Sequence, residues 1–546
     1  MKQLLSILFL HFLVTDQCEA SGLQKKYYVS PSGNDINNGL TIATSWKTLD
    51  KVNSWQFHPG DQVLLEGSKA FTGSILLDSL DSGDEKHPIS IRSYGIGKAV
   101  IQARDDNGFY AINCSNIHLS DLVFRGTGVG NNKGNGIHFY SNSISGSIKH
   151  IAVENCQSEG FHRYGILFSC AEGENIKGFA EVRITHCITK NNGEAGIASY
   201  GGQTSFHHHN FYIAYCKAFE NKGIITQTEN HSGNGIVMAG VEDLLIEYCE
   251  AYENGEWNRC DGGGPVGIWV WLCKKAVIQF CESHHNHTGS TKDGGGFDID
   301  GGSSDCIIQY NYSHDNEGAG ILLAEYGAIL PFTNNIVRFN ISQNDGRKNS
   351  YGGISIWGVD SVYKVRNSFI YNNTVYLNAA SRINGTPAAI KFDGPNLSGV
   401  FIANNIFAVN GGALLVSSNN KLGKEKVFLL SNDYYAYHQQ QQYEWGDLIY
   451  SLKDWLNKAK GQEIMNDKVM ALSVDPRLQA PGSGAVLSNI NLLQKELKGY
   501  HLLPRSPLRN KAIDIRSLGN INPGPHDFFN NPLIHSKFIS IGAALD

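Results

Sequence analysis

A short apolar run that ends in cysteine or asparagine recurs through most of this 546-residue chain. Its anchors are Asp121, Cys156, Cys187, Cys216, Cys249, Cys281, Asn311, Asn340, Asn373, Asn405 and Asn432, in steps of 27 to 35 residues. The approach to each is alike: Ile-Glu-Tyr before Cys249, Ile-Gln-Phe before Cys281, Val-Arg-Phe before Asn340. Five residues after many anchors stands an asparagine: Asn192, Asn221, Asn254, Asn286, Asn316, Asn378, Asn410. A variable loop follows, and then a Gly-Ile-like strand opens, as at Gly165, Gly196, Gly235, Gly267, Gly296, Gly320 and Gly353. A period near 30 with three short strands and no room for long helices predicts an all-β parallel β-helix of about eleven or more rungs. A propeller blade would need about 40 to 45 residues. Growth in one dimension also lets one body exceed the usual domain size.

Like residues of successive rungs stack about 4.8 Å apart. Stacked asparagines bond to one another and tolerate left-handed bends, which predicts ladders. Cys156, Cys187, Cys216, Cys249 and Cys281 fall on the anchor column, so they are read as unbonded core residues rather than disulfides. Residues 21–110 read as an N-terminal cap and first rungs, 111–432 as the β-helix and 433–546 as a C-terminal cap, because a solenoid must cover its open ends. Short helices are expected over Ser45–Asn53 and Ser451–Lys460. Residues 1–20 have the charge, apolar run and small-residue end of a signal peptide, which predicts export to the periplasm, cell surface or exterior. No later stretch is long and apolar enough to span a bilayer. A net charge of −6 argues against nucleic acid and anionic membranes as partners. A capped solenoid has little need to pair, so a monomer is expected.

The stretch Gly294 to Gly302 reads Gly-Gly-Gly-Phe-Asp-Ile-Asp-Gly-Gly. Strand alternation puts Phe297 and Ile299 on one face and Asp298 and Asp300 on the other, roughly 6.6 Å apart along the strand. The same alternation turns Trp269 and Trp271 outward on the preceding rung, Tyr200 further back, and Trp357 further on. Glu325 follows the outward Ala324 of the next rung, where a bend in the strand is expected. The longest loops fall on these rungs and carry His231, Arg259, Lys292 and Asp293, which would wall a groove. Carboxylates beside aromatic rings suit a carbohydrate. Asp298, Asp300 and Glu325 are the candidate catalytic acids; Trp269, Trp271, Tyr200, His231, Arg259, Lys292 and Trp357 are candidate substrate contacts. His207-His208-His209 is read as a solvated loop, and no cofactor is required.

The opening Tyr27 to Leu49, the Asn and Gly rungs, and the tail with Ser506-Pro507 and Ser540-Ile541-Gly542-Ala543 resemble the right-handed parallel β-helix enzymes of the pectin-lyase-like superfamily. The resemblance covers nearly the whole mature chain and implies a carbohydrate-active enzyme. It does not choose the reaction, because lyases, hydrolases and epimerases share the frame. Gly295-Gly296-Phe297 is similar to the strand on which family-nine pectate lyases carry their lysine base. Asp298 stands where that lysine would be, which counts against β-elimination. The paired aspartates are similar in kind to those of polygalacturonases, although the Gly-His-Gly and Arg-Ile-Lys motifs of that group are missing. The expectation is a glycoside hydrolase. A calcium-dependent lyase, with Asp293, Asp298 and Asp300 on the metal and Lys292 or Arg259 as base, is the alternative. A non-catalytic glycan-binding solenoid is the third.

Overall fold

Inward apolar residues stack in register from rung to rung: Ile236 faces Ile268, then Phe297, Ile321, Ile354 and Ile390. The computed structural model describes residues 24–446, 448–519, 521–533 and 539–545. The predicted signal peptide lies outside them. Among the described residues, three long sheets contain 14, 14 and 13 strands, and through most of the coil each strand neighbours the third strand after it in the chain. Pairing within them is parallel, apart from the hairpin at Tyr443–Glu444 and Ile449–Tyr450. This is the predicted parallel β-helix. Its interior is one continuous apolar cluster running from Tyr27 to Trp455.

The rungs turn on left-handed residues just before the anchors: Tyr215, Tyr248, Phe280, Tyr310 and Phe339 all have φ between 51° and 58°. Non-glycine residues adopt this conformation at a cost of roughly 1–2 kcal/mol. Stacking offsets it, since Tyr215 to Tyr248 and Tyr248 to Phe280 have ring centroids 5.0 and 5.2 Å apart. So does the asparagine ladder beneath. Asn311 Nδ2 donates to Asn340 Oδ1 at 3.1 Å, Asn340 to Asn373 at 3.0 Å, Asn373 to Asn405 at 3.0 Å and Asn405 to Asn432 at 3.0 Å. A second ladder joins Asn192, Asn221, Asn254, Asn286 and Asn316. It ends on Asp345, which accepts from Asn316 at 2.8 Å. Asn378 and Asn410, grouped with this column by spacing, instead face each other one strand further on.

The anchor cysteines are buried and free; the other described cysteines are free as well, and all of them but the partly exposed Cys170 are buried. Thr48 caps the helix Leu49–Asn53, whose Leu49 and Val52 close the first end. Trp455, on the helix Leu452–Lys458, stacks on Tyr443 at 4.9 Å and closes the other. The coil runs slightly past the expected boundary, because Asp433–Ala436 pairs with Ile406–Val409. Beyond Trp455 the chain turns back along the outer faces of the first and third sheets. There Leu478, Leu497, Tyr500, Phe528 and Ile541 cover Tyr310, Tyr312, Phe339 and Tyr371. The histidine run is not a solvated loop. His207 and His208 are buried; His208 Nδ1 accepts the Phe179 N–H at 3.1 Å, and its Nε2 lies 3.0 Å from the Tyr200 carbonyl oxygen. No described helix is long and apolar enough to cross a membrane.

Candidate active site

The second sheet leaves one face uncovered by the returning tail, and the acidic stretch lies there. Asp293 and Gly294 turn the chain into the strand, with φ of 50° and 84°. The strand Gly295–Ile299 buries Phe297 and Ile299 in the main core. Asp298 therefore faces out, in register with Trp269 on one side and Leu322 on the other. Asp300 lies just past the strand; its N–H still donates to Val270 O at 2.8 Å. Its carboxylate accepts the Gly301 N–H at 2.8 Å. Position 301 has to be small, because a Cβ there would meet the Tyr326 ring at 2.7 Å.

Asp298 is only 2% exposed, and its Oδ1 has no hydrogen-bond partner. Burial, then the charges of Asp300 and Asp293, push its carboxyl well above the usual range. Asp300 is half-buried. Burial pushes it upward as well; the Gly301 N–H opposes this, and the charges of Asp293 and Glu325 reinforce it. Carboxyls held protonated in this way can serve as proton donors near neutral pH.

Two further acids flank the pair. Asp293 Oδ1 accepts from the Tyr351 hydroxyl at 2.7 Å, and its Oδ2 accepts from the Gly264 N–H at 2.9 Å. Glu325 is fully buried and takes three backbone N–H groups: Gly302 at 3.1 Å, Gly327 at 2.6 Å and Ala328 at 2.9 Å. It braces the turn after Asp300 against its own turn. Burial raises its carboxyl, against those three donors.

The aromatic neighbours divide into packed and open. Trp269 is 4% exposed, donates from Nε1 to Asn234 Oδ1 at 3.1 Å, and lies against His231 with ring centroids 5.5 Å apart. It walls the site and offers little free ring. Trp271 and Tyr200 are partly exposed, 6.2 Å apart between centroids, and present the more open surface. On the far side Lys292 Nζ sits 5.2 Å over the Trp357 ring. Arg259 is exposed and tied to the Gly289 carbonyl oxygen at 2.9 Å, on the loop wall. The structure thus gathers Asp298, Asp300, Trp269, His231, Trp271 and Tyr200. Lys292 and Trp357 form a separate edge, and Arg259 is held by loop backbone.

The sequence places Asp293 on a groove-walling loop and, in the lyase alternative, on calcium, but does not show its partner Tyr351, 58 residues away. Nor does it show Tyr164, whose hydroxyl donates to Glu194 at 2.7 Å beside Tyr200. Strict alternation from Ile166 would bury Tyr164 in the core. The chain bends at Gly165, so the residue before each Gly-Ile pair shares the outer cluster with the residue after it, as Tyr164 does with Leu167 and Val266 with Trp269.

A family model described as "right handed beta helix region" matches residues 218–369, which include the acidic rung. The chain is 25% identical over 462 residues to a lacto-N-biosidase of Bifidobacterium longum subsp. longum. That match covers 65% of this chain and 28% of the relative, so the chain spans under a third of the curated protein it matches. Among solved structures it is similar to the GH136 lacto-N-biosidase from Eubacterium ramulus, at 22% identity, a TM-score of 0.52 and 68% coverage of each chain. The selenomethionine derivative of that protein gives a TM-score of 0.50. Together with the sheet topology, these establish the right-handed parallel β-helix fold.

Proposed function

We propose that this chain is an exported glycoside hydrolase that cleaves a glycosidic bond of an oligosaccharide or polysaccharide in the groove above Asp298 and Asp300. The observation that carries the reading is the acid pair itself, Asp298 buried and Asp300 half-buried at successive outward positions of one rung, with both carboxyls pushed toward the protonated form. Glycoside hydrolysis needs one protonated carboxyl to give a proton to the leaving oxygen and one carboxylate to act on the sugar or on water. Asp300, the more accessible of the pair, is the proton donor. Asp298 is its partner in the first reading. The 2% exposure of Asp298 favours a second, in which Asp293 takes the carboxylate role and its charge, with that of Glu325, helps to raise Asp300. Tyr351 and Gly264 hold Asp293 in one orientation by donating to both its oxygens. Trp271, Tyr200 and Trp357 would contact sugar faces, and Glu325 would brace the turn that presents Asp300.

The lacto-N-biosidases that this chain is similar to support hydrolysis of a glycan and make lacto-N-biosides a first substrate to try. A calcium-dependent lyase would draw Asp293 away from the Tyr351 and Gly264 bonds. Asp→Asn substitution at 293, 298 and 300, assayed on a glycan panel with calcium and with chelator, separates the readings. Chelator-insensitive reducing ends that vanish in Asp300→Asn support hydrolysis. The loss of activity in Asp298→Asn or in Asp293→Asn names its partner. Full activity in all three variants would sink the assignment, and calcium-dependent ultraviolet absorbance would move it to a lyase.

A further inference from the structure

On the outer face of the third sheet, a different sheet from the one that carries Asp298, histidine and carboxylate columns meet. Glu282–His284 and Tyr312–His314 are successive strands, with His284 in register with His314. All of Glu282, His284 and His314 are at most 4% exposed. One ligand atom of each lies within 4.8 Å of the other two. His314 Nε2 is 3.1 Å from Glu282 Oε1. In a tetrahedral zinc site, metal bonds of about 2.0–2.2 Å set neighbouring donors roughly 3.3 Å apart. The His314–Glu282 edge is already at that spacing; to become the third ligand His284 turns out of its stack on His314, ring centroids 4.8 Å apart, and its Nε2 leaves Glu250 Oε1, now 3.4 Å away.

The surroundings are those of a ligand shell. His314 Nδ1 is 3.0 Å from Asp315 Oδ2, and the other oxygen of Asp315 accepts from Arg347 at 2.7 Å. A metal-bound imidazole characteristically gives its second N–H to a carboxylate, which fixes its tautomer and orientation. Glu282 Oε1 also accepts the Leu487 N–H at 2.9 Å, so the carboxylate is placed by the returning tail. His284 Nδ1 lies 2.9 Å from Nδ1 of His285, a half-buried imidazole that gives the cluster a way to solvent.

We propose that Glu282, His284 and His314 bind a divalent transition metal of the zinc class, which fastens the C-terminal tail to the third sheet. Two imidazoles and one carboxylate suit Zn²⁺ and disfavour Ca²⁺, which takes six to eight oxygens. The metal takes no part in the proposed hydrolysis, and the site stands whether or not that reading does.

The full chain, stripped with chelator and dialysed, would be titrated with ZnCl2 by calorimetry and its metal content measured; cobalt would report ligand geometry by visible absorption. The proposal expects about one zinc per chain, abolished by His314→Ala and by Glu282→Gln. Asp315→Asn should weaken binding about 10- to 100-fold. Asp300→Asn and His209→Ala should bind as the wild type does. Because the wild-type titration does not depend on a variant folding, absence of stoichiometric uptake overturns the proposal outright. Uptake that persists unchanged in His314→Ala and Asp315→Asn also overturns it, because the zinc then lies elsewhere.

Discussion

Asp298→Asn should stabilise this protein while destroying its activity. The Oδ1 atom of Asp298 is buried without a partner, a setting that opposes the ionised carboxylate and that a neutral amide tolerates better. Burial and the charges of Asp300 and Asp293 raise the carboxyl in the fold, whereas in the unfolded chain it titrates near 3.8. Between those two points the folded state binds more protons than the unfolded state, so this group's contribution to stability falls as pH rises. Below 3.8 both states are protonated and the penalty is absent. The neutral amide removes the titration. The variant should therefore gain about 1–3 kcal/mol at pH 7–8 and nothing near pH 3.5. Urea-unfolding midpoints across that range measure it, alongside kcat, which should fall about 10²- to 10⁴-fold for loss of an acid–base group. A variant less stable than the parent at neutral pH, or one whose gain is the same at both ends of the range, would refute the reasoning.

Other parts of the structure give further expectations. Asn286 holds five side-chain bonds in the second ladder, to Asn254, Ala251, Ser283 and Asn316; Asn286→Ala should lower stability by about 2–4 kcal/mol in urea melts, and an unchanged midpoint would deny the ladder its role. Glu325→Gln should lower the melting temperature yet leave kcat within about tenfold of wild type, because it braces a turn and does not transfer the proton; a loss as large as that of Asp300→Asn, on the scale of about 10² or more, would make it catalytic. Trp271→Ala should raise KM more than it lowers kcat, with Trp269→Ala chiefly reducing stability. The described cysteines are free, so melting curves with and without reductant should coincide.

The periodicity of Cys249, Cys281, Asn311 and Asn340 made the solenoid legible, because each rung repeats the same steric and hydrogen-bonding problem at nearly the same spacing. Alternation from Ile268 and Phe297 placed Trp269 beside Asp298 for the same reason: register in a parallel stack is local and cumulative. Three kinds of information were not local. The bend at Gly165 broke the alternation and hid Tyr164. The Tyr351 contact to Asp293 spans two rungs through loops of unequal length. Nor could spacing show that the His207–His208 run enters a strand and bonds to Phe179 and Tyr200. The tail past Trp455 was expected from its position to cap the open end, but it runs back along the outer faces of the first and third sheets. Its path along Tyr310 and Tyr371 depends on tertiary apolar contacts with no sequence period.

Cleavage of a glycan panel in H2¹⁸O, with products read by mass spectrometry, tests the central claim most directly. Hydrolysis at Asp298 and Asp300 predicts saturated products in which each new reducing end or its partner carries one solvent oxygen, and no such products from Asp300→Asn. Unsaturated products without solvent oxygen, or labelled products formed equally well by Asp300→Asn, would contradict it.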